Sequence, residues 1–189
     1  MALTHTPRPE FGAPAPDFSL TGIDGKTYTL KGVRGEKGTL VMFICNHCPY
    51  VRAIAGRLAA DMKTLQDNGI GVIAVMSNDT STHPADSFDN MKKFAAQHGF
   101  TFPYVIDGTQ AVAKAYGAVC TPDFFGYNAV GALQYRGRLD EGNPAKPVTA
   151  ETKNELVEAL LHIAATGKGP ERQTPSMGCN IKWKNARAA

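Results

Sequence analysis

Cys45 and Cys48 stand three residues apart in FICNHCPYV, residues 43–51, where an apolar run gives way to a polar turn and then to apolar residues at helical spacing. A cysteine at the start of a helix faces free backbone N–H groups and the positive end of the helix dipole, which favour thiolate over thiol. On that ground Cys45 is expected to be the nucleophile. One helical turn on, Cys48 shares its face and can reach back to the same sulfur. The pair suits a reversible dithiol/disulfide couple in which Cys45 attacks a substrate disulfide and Cys48 resolves the mixed intermediate. His47, between them, either steadies the thiolate or faces solvent as a polar residue of the turn.

Two other readings of the pair stand beside this one. Zinc or copper held for structure or delivery would make the chain a non-enzymatic metal-binding module. No second Cys-x-x-Cys exists, so Cys120, Cys179 or His47 would have to supply the remaining ligands. A purely structural pair in the core is the other. Cys120 is expected to be an inert core thiol, free cysteine being among the most buried residue types. The oxygen and imidazole groups of SNDTSTHPAD (77–86) read as a loop with a helix cap, and Asp140 and Glu141 as loop charge.

The elements that must position these residues follow from periodicity. TLVMFIC is a nearly continuous apolar run, as in a strand covered on both faces. From Pro49, residues Val51, Ile54, Leu58, Met62 and Leu65 mark one face of a helix ending near Asn68-Gly69. The cysteines fall at that strand-to-helix junction, where open α/β sheets expose function. Before it, two short alternating runs flank Asp24-Gly25 as a hairpin. After it come the strand IGVIAVMS, the helix PADSFDNMKKFAAQHG, the strand FPYVID and the short helix TQAVAKAYGA. Then DFFGYNAVGALQYRGRL reads as two strands joined at Asn128 to Gly131. TAETKNELVEALLHIAATG is a closing helix with Thr149 as its cap. The expected fold class is α/β, a central mixed β-sheet flanked by helices, with an N-terminal β-hairpin and a C-terminal tail.

At 189 residues and 43% hydrophobic the chain suits one domain with a real core. Residues 1–166 are expected to form it, with 167–189 as a basic tail carrying Cys179. Residues 168–187 hold Lys168, Arg172, Lys182, Lys184 and Arg187 against Glu171, a net +4 within an overall +3. Such a tail is either solvated or docked on the body, with the apolar edge of Ile181 and Trp183 inward and Lys182 and Lys184 wet. From Gly167, Cys179 has enough chain to reach the cysteine pair. The modest charge argues against nucleic acid, and the lack of a long apolar run or signal-like start against a membrane or secretion. The cytoplasm is the expected compartment. Four cysteines are too few for a secreted disulfide framework and in a reducing compartment point to redox or metal chemistry.

APAPDFSLTGIDGKTYTL, VMFICNHCPYV, FPYVIDGTQAVAKAYGAVCTPDFF and YRGRLD together resemble the thioredoxin superfamily, in its peroxiredoxin-like branch, the redoxin or alkyl hydroperoxide reductase and thiol-specific antioxidant group. The resemblance covers about residues 11–166 and implies a thioredoxin-like fold. It also implies a cis bond between Thr121 and Pro122 beside the active cysteines, with the Thr121 backbone facing an extended substrate chain. Departures accompany it. Ile44 stands where thioredoxins have tryptophan, Asn46-His47 replaces Gly-Pro, and Thr39 replaces their buried acid. On the peroxiredoxin pattern Pro-x-x-x-Thr-x-x-Cys, the peroxidatic cysteine falls on Cys48, followed by Pro49. Cys45 then takes the threonine position and Val41 the proline position, leaving Arg136 or Arg138 to polarise a peroxide, although as charges on a terminal strand both are expected to be solvated. The leading expectation is a thiol-disulfide oxidoreductase, without cofactor, acting on protein or small-molecule disulfides in cellular redox or antioxidant chemistry as a monomer or homodimer. A thiol peroxidase using Cys48 on hydroperoxides is the alternative, with Cys120 and Cys179 as auxiliary thiols.

Overall fold

The computed structural model describes residues 3–149 and 151–184. Ala150 and Arg187, named above, lie outside them. The chain runs through β1 (Leu3–His5), β2 (Ser19–Gly22), β3 (Thr27–Thr29), the single turn α1 (Leu30–Val33), β4 (Gly38–Phe43) and α2 (Pro49–Asp67). It continues through β5 (Ile70–Met76), α3 (Phe88–His98), β6 (Tyr104–Ile106), α4 (Ala111–Tyr116) and β7 (Cys120–Thr121). Last come β8 (Asp123–Asn128), β9 (Leu133–Tyr135), α5 (Glu155–Thr166) and β10 (Met177–Asn180).

Seven strands form the central sheet in the order β3-β2-β6-β5-β4-β8-β9. The β4-β5-β6 ladder is parallel and β8 lies antiparallel to β4, so the sheet is mixed. Every residue of β4 is buried, and its period of two deals side chains to opposite faces. Leu40 and Met42 join the core beneath α2, α3 and α5, while Val41 and Phe43 join the one beneath α4. The apolar positions of α2 (Val51, Ile54, Ala55, Leu58, Met62 and Leu65) bury one stripe against the first face. Three- and four-residue spacing places them there. Gly99, at φ 65°, ends α3 in the left-handed region that glycine enters without cost.

Two departures from the sequence expectations concern the C-terminal third. The cap of α5 is Asn154, whose side chain accepts from the Val157 N–H, and not Thr149. Thr149 N–H instead meets the Thr152 hydroxyl in a turn five residues upstream. The segment after Gly167 also contains a strand. β10 lies between β1 and β7 in a second, three-stranded antiparallel sheet. This strand was invisible to periodicity because PSMGCNIKWK holds only four strand residues, including a glycine, and its partners are remote in sequence. Ile181 is buried as the docked-edge reading expects, but Trp183 is exposed, with the Lys114 ammonium 5.8 Å from its ring centroid. Among the described residues no helix is long and apolar enough to cross a membrane.

Candidate active site

β4 delivers its last ladder bond one residue beyond its end, from Ile44 N–H to Val75 O. The chain then leaves the sheet through Cys45, Asn46 and His47 and enters α2 at Pro49. Cys48 is the helix N-cap, with extended dihedrals, and Pro49 occupies the first turn, where its missing N–H costs nothing. The helix-start environment expected for Cys45 therefore belongs to Cys48. Cys45 sits in the loop three residues earlier.

Thr121 joins the two sulfurs. Its Oγ1 lies 3.2 Å from Cys45 Sγ, and its carbonyl oxygen accepts from the Cys48 thiol at 3.1 Å. The Thr121–Pro122 bond is cis. Both cysteines are 0% exposed. The Thr121 backbone edge, expected to receive an extended substrate, is taken by the protein's own β10, with Cys179 opposite Thr121 and Asn180 opposite Cys120. Gly178 makes that approach possible, since a Cβ there would stand 2.0 Å from the Thr121 carbonyl oxygen.

Asp86, in the loop read from sequence as an ordinary cap, is fully buried and organises the cysteine turn. Its carboxylate accepts from Asn46 N–H (2.8 Å), His47 Nδ1 (2.7 Å) and Asn78 Nδ2 (2.8 Å). An ionised carboxylate only accepts, so the His47 proton sits on Nδ1. Burial pushes the Asp86 carboxyl up, but the bonds from His47, Asn78 and Asn46 outweigh it and hold the group below the usual carboxylate range. His47 Nε2 is buried without a partner among the described residues, and its ring stacks on His83 at 5.2 Å. Tyr104 OH donates to the Asn46 side chain and closes the network. Asp86 carried no signal in the sequence beyond being an acid in a polar loop.

The environment separates the two thiols. Hydrogen bonding from Cys45 lowers Cys48 against its burial, with further help from the Cys179 thiol and the Val51 and Cys179 N–H groups, to about 5. The same Cys45–Cys48 bond, then burial and the Asp86 charge, raise Cys45 well above the ordinary thiol value. The influences that favour ionisation thus fall on Cys48, at the helix end, and those that oppose it on Cys45.

Other expected groups fall elsewhere. Cys120 is buried, burial raises its thiol well above the ordinary value, and its sulfur lies 3.6 Å from Pro122 O. Arg136, expected to be solvated, is buried, bonds Asp123 at 3.1 Å and Gly117 O at 2.7 Å, and stacks over Phe125. Arg138 pairs with Glu155 at 2.6 Å. Both guanidinium groups are thus committed to carboxylates. Asp140 is no loose loop charge either, being buried and held by Arg57.

Cys45, His47 and Asp86 place one ligand atom each within 4.8 Å of the others, the one such group among the described residues. Asp86 already accepts from three donors, so a tetrahedral zinc would have to break that network and still find a fourth ligand. A cavity of about 320 Å³ opens beside Pro122, lined by Tyr50 and Ile54 of α2, Asp140, Ser176 and Met177 among others.

Comparison with known proteins places these features in a family. The chain is 31% identical over 121 residues to the thiol-disulfide oxidoreductase ResA of Geobacillus thermodenitrificans, covering 60% of this chain and 61% of that one. It is 34% identical over 111 residues to alkyl hydroperoxide reductase E of Mycobacterium tuberculosis, covering 56% and 66%. It thus spans a little under two thirds of the length of those curated relatives. A crystal structure of an uncharacterized conserved protein from Geobacillus kaustophilus superposes with a TM-score of 0.92 at 39% identity, covering 98% of both chains. The profile described as the AhpC/TSA family matches residues 11–139, which hold the whole central sheet and with it Cys45, Cys48 and Thr121. Since that match takes in well over half of the molecule, the chain belongs to the AhpC/TSA family, within the thioredoxin superfamily.

Proposed function

We propose that the protein is a thiol-disulfide oxidoreductase in which Cys45 and Cys48 cycle between dithiol and disulfide. The observation that carries this reading is the meeting of both sulfurs on Thr121, with Cys48 at the α2 N-terminus and Cys45 in hydrogen-bonding reach of it. The Cys48 thiolate attacks one sulfur of a substrate disulfide, and the other leaves as a thiolate that takes up a proton. Cys45 then gives up its proton and attacks Cys48 Sγ, forming the Cys45–Cys48 bond and releasing the second substrate thiol. Two electrons have passed to the substrate. The curated relative named a thiol-disulfide oxidoreductase supports this class of substrate, whether protein or small molecule. Asp86 and His47 act as positioning residues, fixing the turn that carries Cys45. Free cysteines, with one pair placed for exchange rather than for cross-linking, suit a reducing, cytoplasmic setting.

Oxidation of the reduced protein by a small disulfide, followed by alkylation and mass mapping, should yield an intramolecular Cys45–Cys48 disulfide. Cys48→Ser should abolish reduction of an insulin-type disulfide substrate, and Cys45→Ser combined with Cys179→Ser should accumulate a mixed disulfide on Cys48. Recovery of both thiols alkylated after oxidant treatment, with metal bound to the reduced protein, would replace the reading with the metal-binding one.

A second reading, thiol peroxidase, is favoured by the lowered Cys48 and by the relative named alkyl hydroperoxide reductase E. It requires a cation at the peroxide, and Arg136 and Arg138 are both paired elsewhere.

A further inference from the structure

Three sulfurs, not two, meet beneath β10. Cys179 is the residue of that strand placed opposite Thr121, the same residue that touches Cys45 and Cys48. Hydrogen bonding from its thiol and its N–H is among the influences that lower Cys48. The placement is enforced along the whole segment. Ser176 Oγ donates to Pro122 O at 2.7 Å, Ile181 N–H to Val119 O at 3.1 Å, and Lys182 N–H to Asn78 Oδ1 at 2.8 Å. On its other edge Cys179 pairs with Leu3 of β1. Cys179 is also the outermost of the three, 5% exposed against 0% for both partners. The family match ends at residue 139, well before this strand.

Resting on the reading of Cys45 and Cys48 as a redox couple, we propose that Cys179 is a third redox thiol, which takes the disulfide from Cys45 by exchange on Cys48. The Cys179 thiol loses its proton and its sulfur attacks Cys48 Sγ. The Cys48–Cys179 bond forms as the Cys45–Cys48 bond breaks, and the electron pair and a proton end on Cys45. One disulfide is present before and after, so the step needs no outside oxidant or reductant. Its effect is to move the disulfide outward, from two sealed sulfurs to a pair that includes the strand thiol. The strand thus stands in the place of an extended substrate, backbone paired to Thr121 and sulfur turned to Cys48. Burial, the bond to Cys48 and the Cys48 charge raise Cys179 to about 12 while Cys48 is reduced. Oxidation of Cys48 removes the last two of these, so the strand thiol ionises more readily when there is a disulfide to attack.

The experiment oxidises the full chain with glutathione disulfide, quenches in acid, labels free thiols with N-ethylmaleimide and maps disulfide-linked peptides without reduction. Wild type should give Cys45–Cys48 together with Cys48–Cys179. In Cys45→Ala and Cys45→Ser, Cys48 and Cys179 should both lose their label to one shared disulfide, with Cys120 labelled throughout. Full labelling of Cys179 in those variants, with Cys48 carrying glutathione, overturns the proposal. Disulfides of Cys120 at comparable yield overturn it too, because they show scrambling rather than a built route. Should both Cys45 variants lose their circular dichroism signature, Cys120→Ala decides, since a time course in that chain without any Cys48–Cys179 peptide is equally fatal. The couple itself is judged separately: if wild type never forms Cys45–Cys48, it is the proposed function that fails.

Discussion

Thr121 serves both sulfurs, its hydroxyl at Cys45 and its carbonyl at Cys48, and the difference between the thiols then follows from what else surrounds them. Cys48 has the helix end and backbone donors, whereas Cys45 has the Asp86 carboxylate. Thiolate absorbance near 240 nm should therefore titrate with a midpoint near 5 in the reduced protein. The step should vanish in Cys48→Ser and move to higher pH in Cys45→Ala, which removes the largest lowering influence. The sign is fixed by the depressed value: thiolate is present above that midpoint, and reactivity toward disulfides falls as pH drops through it. A single step near the ordinary thiol range of about 8.5 would refute the assignment. Asp86→Ala leaves three donors without their acceptor in a buried turn and should lower stability by about 1–3 kcal/mol, read by urea denaturation. An unchanged midpoint would mean that the turn holds itself.

The element that changes most between pattern and structure is β10, held by a clamp as well as by its ladder. Gln110, at φ 64°, is a non-glycine residue in the left-handed region and is fully buried. Its side chain donates to Ser77 O and Lys182 O and accepts from Lys184 N–H at 2.7 Å. A backbone conformation costing of the order of 1 kcal/mol is retained where it aims an amide at the C-terminal segment. Gln110→Ala should free residues 181–184, read as lower fluorescence anisotropy of Trp183, the single tryptophan. Undiminished anisotropy would place the anchoring elsewhere. Gly178→Ala should push β10 from Thr121 and speed alkylation of Cys48, which the strand now helps to seal. An unaltered rate would show that Cys48 is reached by another route.

Across the whole molecule, positive charge is spent on architecture. Arg136 is locked in the interior with Asp123, Arg138 bonds Glu155 and Arg57 bonds Asp140. Withdrawing either partner of the Arg136–Asp123 pair would strand a buried charge, at a cost of about 3–5 kcal/mol. These arginines are therefore poorly placed to move to a peroxide. Stopped-flow oxidation by hydrogen peroxide should be slow relative to oxidation by a disulfide. Fast oxidation that survives Cys45→Ser and disappears in Cys48→Ser would promote the peroxidase reading.

How much of this was legible in the sequence depends on the range of the interaction responsible. The strand before Cys45, the helix after Cys48 and the glycine stops follow from near neighbours, through the period of a buried strand, the 3.6-residue stripe of α2 and the backbone freedom of Gly99. The mixed sheet and the proximity of Cys45 to Cys48 followed in the same way. Which cysteine caps the helix turned on where the helix begins within three residues, and periodicity does not resolve element ends that finely. Asp86 and Gln110 lay beyond any pattern, because each acquires its role from partners about 40 to 75 residues away, and for Cys179 the sequence offered reach to the cysteine pair but not the strand that places it opposite Thr121. A carboxylate in a polar loop and a cysteine in a basic tail look the same whether solvated or buried. Only the closing of the sheet, which brings β7, α2 and β10 to one point, decides that Asp86 is desolvated beneath the turn and that Cys179 faces Cys48.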